Sequence, residues 1–275
     1  MRPARRTGLA LAAVIAAFTL PAQAAALLAP HRAVYDLSLD GATDDSDITG
    51  AAGRIVYEFD GSACDGYTTK FRMVTQLDTE EASRLSDLQT SSFEDGDGKS
   101  FSFISKSYID QNLDKEVKGV ATRGRTETTV QIDKPKPRTV ALEATQFPTQ
   151  HTLEMIEKAK EGVRFYQTTL FDASEDADKA TMTTVVIGDE RKTAADDPER
   201  AAMGKLADDS YWPVQIAYYD LSDGDGDETP NYRISFKLHA NGITHGLAMD
   251  YGDFSMTGRL VRLDLFDHAA EGCGH

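Results

Sequence analysis

Cysteine is almost absent from this sequence: Cys64 and Cys273 are the two it has in 275 residues. Tryptophan is rarer still, with Trp212 alone. Basic runs are missing, and a formal net charge of -16 opposes nonspecific attraction to nucleic acid or anionic lipid head groups. The longest early apolar run, Gly8 to Leu20, falls short of the roughly 20 residues that a membrane-spanning helix needs. There is no G-x-S-x-G elbow, Walker loop, zincin helix or dinucleotide fingerprint, which removes the commonest motif-bearing enzymes. No internal repeat of fixed period is present, so a solenoid or propeller is not indicated.

What is present begins with an export leader. Arg2, Arg5 and Arg6 precede the apolar run, and Ala22-Gln23-Ala24 supplies small residues where a signal peptidase cuts. Residues 1–24 are therefore expected to be removed, leaving residues 25–275 as an exported chain with no membrane span. No cysteine follows the cut, which argues against a lipid anchor. Export also bears on Cys64 and Cys273. As buried thiols they would act as small hydrophobes. In an oxidising compartment a disulfide persists, and closing a loop of about 200 residues removes roughly 5 kcal/mol of unfolded-state freedom in the chain-entropy model.

The mature chain reads as all-β with one principal helix. Ala33, Tyr35, Leu37 and Leu39 alternate with more polar neighbours. So do Ile55, Tyr57 and Phe59, then Tyr67, Phe71, Met73 and Leu77, then Tyr232, Ile234, Phe236 and Leu238. A period of two is the mark of a strand with one covered face. Asn241-Gly242 is a strong hairpin signal, and after Leu260 the apolar phase shifts to Val261, as at a bulge or a strand buried on both faces. Only Thr152 to Lys160 has helical spacing, with Glu154 early, Lys158 and Lys160 late, and Gly162 as the stop. The expectation from the residues is a large antiparallel sheet of roughly 12–14 strands, curved around that helix or capped by it, and the length of residues 25–275 suits one large all-β domain as well as two smaller ones. Residues 188–210 lack a strand pattern and are expected to be a long loop, with Asp196-Asp197-Pro198 able to start a short helix over Glu199 to Leu206.

Candidate chemistry is sparse. Asp223 to Asp227 imitates the start of a calcium loop, but Glu228 and Ile234 stand where Gly and Glu are required. His239 and His245 flank the Asn-Gly turn without a fixed third ligand, so they read as sheet-surface histidines and not as a metal site. His151 lies near the helix start with no nucleophile pattern beside it. Tyr211, Trp212, Tyr218 and Tyr219 form an aromatic cluster that fits either the core or the wall of a sugar or lipid cavity. No catalytic, cofactor-binding or metal-binding residue is assigned.

Several stretches together resemble the EipB family of bacterial cell-envelope integrity proteins. They are Gly53 to Phe59 leading to Gly61-Ser62-Ala63-Cys64-Asp65-Gly66-Tyr67, Phe147-Pro148-Thr149-Gln150-His151, Tyr211-Trp212-Pro213-Val214, and Asn241-Gly242-Ile243 through Asp253-Phe254-Ser255, with Cys273 at the end. The resemblance implies a soluble periplasmic monomer, residues 25–275 forming a single β-spiral domain with a large antiparallel spiral-like or half-open barrel sheet, a disulfide at Cys64 and Cys273, and a role in envelope integrity under stress. It carries over no catalytic motif. The expected activity is non-enzymatic binding of an envelope component or a partner protein. An envelope glycan or lipid hydrolase is one alternative, and a lipocalin-like or lipoprotein-chaperone-like carrier of an acyl chain is another. Titrating the unfolded, unreduced mature chain with a thiol reagent should find no reactive sulfur; one or two reactive thiols would contradict the bridge.

Overall fold

The computed structural model describes residues 28–220 and 229–266. The leader, the calcium-like stretch and Cys273 lie outside the described residues. The first half of the chain is a meander of eight strands: β1 (His31–Ala42), β2 (Ile48–Ser62), β3 (Gly66–Thr79), β4 (Ser83–Glu94), β5 (Ser100–Ile109), β6 (Asn112–Arg123), β7 (Glu127–Lys134) and β8 (Arg138–Glu143). Helix α1 (Pro148–Lys160) follows. A second meander contains β9 (Phe165–Leu170), β10 (Thr181–Ile187), the two-residue β11 (Arg191–Lys192), β12 (Ser210–Tyr219), β13 (Tyr232–His239), β14 (Thr244–Asp250) and β15 (Phe254–Leu265). Between β11 and β12 lie a short helix, α2 (Arg200–Met203), and a 3-10 turn (Gly204–Asp208).

The two meanders join where β1 pairs with β15, giving one 15-stranded antiparallel sheet ordered β8 to β1, then β15 to β12, then β10 and β9, with β11 beside β12. The period-two stretches are its strands, and the extra strand beyond the expected range is β11. The phase shift at Val261 is a bulge: Val34 faces Arg262 while Tyr35 faces Leu260, leaving Val261 without an opposite residue. The sheet does not close, because its terminal strands β8 and β9 do not pair with each other. Instead the chain leaves β8 and reaches the other end, where Gln146 bridges Leu170 in parallel. The Gln146 amide donates to the Thr169 carbonyl at 3.0 Å, and the Phe171 amide donates to the Gln146 carbonyl at 2.9 Å.

Two apolar clusters fill the curl. The larger joins β1–β3, β10 and β12–β15 to Met155, Ile156 and Ala159 of α1. The smaller stacks Phe101, Phe103, Phe147 and Phe171 against β6 and β7. Ala173, Glu175 and Ala177 take positive φ, which folds the segment after β9 back so that Ala173 and Ala177 reach this second cluster.

Residues 188–210 are folded. Their short helix lies where Asp196-Asp197-Pro198 pointed, and Met203, Leu206 and Ala207 are buried. Asp197 pairs with Lys237, and the Glu199 carboxylate accepts the Leu260 amide, so the segment is pinned across the outer face of β13–β15.

Helix α1 carries its own constraint. Its N-cap is Phe147, which offers no side-chain acceptor. The missing acceptor comes from β4, where Glu94 receives the Thr149 amide at 2.8 Å and the Gln150 amide at 3.1 Å. Glu94 is 2 % exposed. Burial raises its pKa, opposed by these same hydrogen bonds. Truncating it leaves two helix N–H groups without a partner, so Glu94→Ala should destabilise by about 1–3 kcal/mol. Glu94→Gln should recover part of that loss. Urea unfolding midpoints of the three proteins test this; an unchanged midpoint for Glu94→Ala would remove the cap from the account.

Candidate functional site

The inner face of the curl is not fully packed. It encloses a cavity of about 500 Å³, within the range of small-molecule binding sites. The wall is built from the alternating residues themselves. Ile55, Tyr57 and Phe59 face it from β2; Phe71 and Met73 from β3; Ile234, Phe236 and Leu238 from β13; Leu247 and Met249 from β14, with Tyr251 just past its end. The first turns of α1 close one side through Pro148, Thr149, His151, Thr152 and Met155. A hydroxyl row, Thr69, Thr90 and Ser92, runs along β3 and β4.

The cavity is close to electrically neutral. Its lining among the described residues contains no lysine or arginine and a single carboxylate, Asp172. Desolvation pushes the Tyr57 phenol up to about 12 and raises those of Tyr218 and Tyr232 further, so all three stay protonated. His31 is lowered by burial while its Nδ1 donates to the Ala29 carbonyl at 2.7 Å. His151 is 4 % exposed, and its pKa falls to about 4 because burial penalises the imidazolium. Its Nε2 has no hydrogen-bond partner. An unsatisfied buried polar atom costs about 1–3 kcal/mol, and such atoms call for a specific explanation.

At one end the cavity adjoins a smaller polar chamber of about 280 Å³. Asp172, Tyr218 and Tyr232 line both spaces. Tyrosine rings follow one another along the cavity wall from there: Tyr218 and Tyr232 have centroids 5.5 Å apart, and Tyr232 and Tyr251 5.0 Å. In the chamber Lys179 is held by Asp220 and, at 2.9 Å, by Glu175, which raises its pKa and keeps it charged.

The sequence candidates are scattered. Tyr218 reaches the cavity and Tyr219 the polar chamber, Trp212 is core, and Tyr211 meets the two histidines edge-on, so the aromatic cluster is divided by the alternation of β12. His239 and His245 are not on the surface. They are 1 % and 0 % exposed, with His239 Nε2 and His245 Nδ1 3.1 Å apart. The pinned 188–210 segment packs over the outer face of β13 and β14 and takes them out of water. Burial lowers both pKa values, that of His245 to about 3. No group of three or more metal-ligating side chains occurs among the described residues. Cys64 sits in the turn between β2 and β3, and its expected partner lies outside the described residues.

Sequence reasoning passed over Glu94, Asp172, Glu199 and the isolation of His151. One of them left a trace: a helix starting at Pro148 behind Phe147 has no local cap, so its acceptor has to come from elsewhere.

Comparison with known proteins follows the same geometry. The model of a family described as EipB-like matches residues 22–267. A curated relative, the cell envelope integrity protein EipB of Brucella abortus strain 2308, is 54 % identical over 247 residues, spanning 90 % of this chain and 87 % of that protein. A crystal structure of a beta-barrel-like protein of a domain of unknown function from Brucella abortus superposes with a TM-score of 0.85 at 54 % identity, over 88 % of this chain and 100 % of that one.

The buried imidazoles set a pH dependence. His151 binds its proton near 6.5 when unfolded and near 4 when folded. Between those values the unfolded chain holds more protons, so this contribution is full above the upper value and is lost as pH falls toward the lower. The buried carboxyls Glu94 and Glu199, raised by desolvation, act in the opposite sense. Comparing variants isolates one group. His151→Met should flatten the pH dependence of unfolding free energy between about pH 6.5 and pH 4 by up to ~1.4 kcal/mol per pH unit. Urea titrations across that range measure it, and parallel curves for the two proteins would contradict the assignment.

Proposed function

The chain belongs to the EipB-like family, and on that premise we propose that it supports cell-envelope integrity by holding the apolar chain of an envelope component inside its curled sheet. The observation that carries this reading is the cavity: about 500 Å³ of space, walled by the inward residues of at least four strands and by α1, with one polar atom left unsatisfied at His151 Nε2. Empty apolar space on this scale costs stability in a protein interior. A bound hydrocarbon chain would offset that cost, and a hydrogen-bonding group on it would meet the imidazole. The curated relative's name, cell envelope integrity protein, supports action at the envelope, as does the export leader read in residues 1–24.

In this reading the mature chain, residues 25–275, acts as a periplasmic monomer closed by a disulfide between Cys64 and Cys273. Binding is favoured over chemistry. A glycosidase needs two carboxylates in one site; among the described residues the cavity lining has Asp172 alone, and the two further carboxylates of the adjoining chamber, Glu175 and Asp220, are paired with Lys179. The buried carboxylates nearby are occupied: Glu94 by the α1 amides and Glu199 by the Leu260 amide. The carrier reading shares the cavity and differs only in whether the occupant is handed on.

Mass spectrometry of organic extracts from protein purified out of its native periplasm should identify a chain-bearing amphiphile at near-stoichiometric amount. Met73→Trp puts a large ring into the space. It should abolish copurification while shifting stability by no more than about 1–3 kcal/mol. A fully folded Met73→Trp protein that retains the same amphiphile would contradict binding in this cavity.

A further inference from the structure

The charges around the cavity point to the head group of its occupant. We infer that the site takes a single-chain amphiphile with a positively charged amine head, seated at Asp172 where the apolar cavity meets the polar chamber. This inference rests on the cavity-binding reading and adds the chemistry of the head.

The first ground is the absence of a counter-ion for an anion. Among the described residues, the cavity lining has no lysine or arginine. Its two histidines, His31 and His151, are kept neutral by burial. A carboxylate or phosphate drawn into this space would be a buried charge without a partner, which is heavily penalised. The N-terminus of α1, an ordinary place for an anion, is closed to one because Glu94 already receives the Thr149 and Gln150 amides.

The second ground is Asp172. It is half-buried, lines both spaces, and forms no ion pair among the described residues. One of its oxygens accepts the Ser174 amide at 2.9 Å. The carboxylate lies close enough to Tyr218 to add to the raised pKa of that phenol. The one cation of the polar chamber among the described residues, Lys179, is held by Asp220 and Glu175 and so is not available to an incoming anion. Among the described residues the chamber therefore has three carboxylates, Asp172, Glu175 and Asp220, against one ammonium. An amine head gains an ion pair at Asp172, and the tyrosine ladder beside it offers ring faces on which a cation is favoured.

The third ground is independent of charge. His151 Nε2 is buried, without a partner, and on a ring that lines the cavity. It provides a polar contact for the interior part of an occupant, such as an amide or hydroxyl along the chain. The site thus has an apolar body, a neutral polar contact inside it, and an acidic mouth.

The test uses the mature protein with three probes that share a dodecyl chain: dodecylammonium, dodecanoate and the uncharged dodecyl maltoside. Each is titrated below its micellar concentration against a bound environment-sensitive dye. Dodecylammonium should bind about tenfold or more tighter than dodecanoate, the equivalent of roughly 1.4 kcal/mol. Asp172→Asn, which keeps an acceptor for the Ser174 amide, should remove most of that preference by weakening dodecylammonium binding. Asp40→Asn, on the exposed end of β1, should leave the preference intact, which separates a site from the general attraction of an acidic protein for cations. Equal or tighter binding of dodecanoate, or a preference that survives Asp172→Asn, would overturn the head-group inference and leave the cavity reading standing. Failure of all three probes to displace the dye would overturn both.

Discussion

Two hydrogen bonds from the start of α1 to one carboxylate organise this molecule. Glu94 ends β4, and Thr149 and Gln150 begin the helix some fifty residues later. The bonds fix where the helix enters the curl, and with it the side of the cavity made by Pro148, His151, Thr152 and Met155. They also place Phe147 over Phe101, with centroids 5.3 Å apart, at the centre of the second apolar cluster. A helix with a local serine or aspartate cap could sit at any angle to the sheet. One whose cap belongs to a strand is bound to that strand's position.

The interior that results is apolar and close to neutral. Each inward tyrosine and histidine keeps its uncharged form because burial opposes the charged one. Charge is kept at the rim and on the outer face, where Asp197, Lys237 and Glu199 tie the 188–210 segment down. The same arrangement buries the pair His239 and His245 beneath that segment. Polar groups in this fold serve mainly to hold irregular pieces against a regular sheet.

Much of the fold could be read in the sequence, because a sheet with one covered face prints its pleat directly as alternation. Ile55, Tyr57 and Phe59, and again Tyr232, Ile234, Phe236 and Leu238, were assigned to a covered face, and that is the face they take. The alternation says which way a side chain points. It does not say whether another side chain meets it there, so it leaves open whether Tyr218 and its neighbours face packed core or a cavity. Long-range partners were invisible for a related reason. Glu94 looks like one more acid before the Asp95-Gly96 turn, and only the curl brings it to a helix with no cap of its own. The histidines were misplaced because their covering comes from a segment without periodicity, whose packing depends on single residues such as Asp197 and Glu199.

The seam between β8 and β9 has a further meaning. In a closed barrel, strand number and stagger together dictate the diameter. Here the ribbon's two ends meet through Gln146 and a phenylalanine cluster in place of a full ladder. The bore is therefore a matter of side-chain size, and relatives can widen or narrow it by exchanging a few aromatic residues at the overlap, with the strand register left as it is.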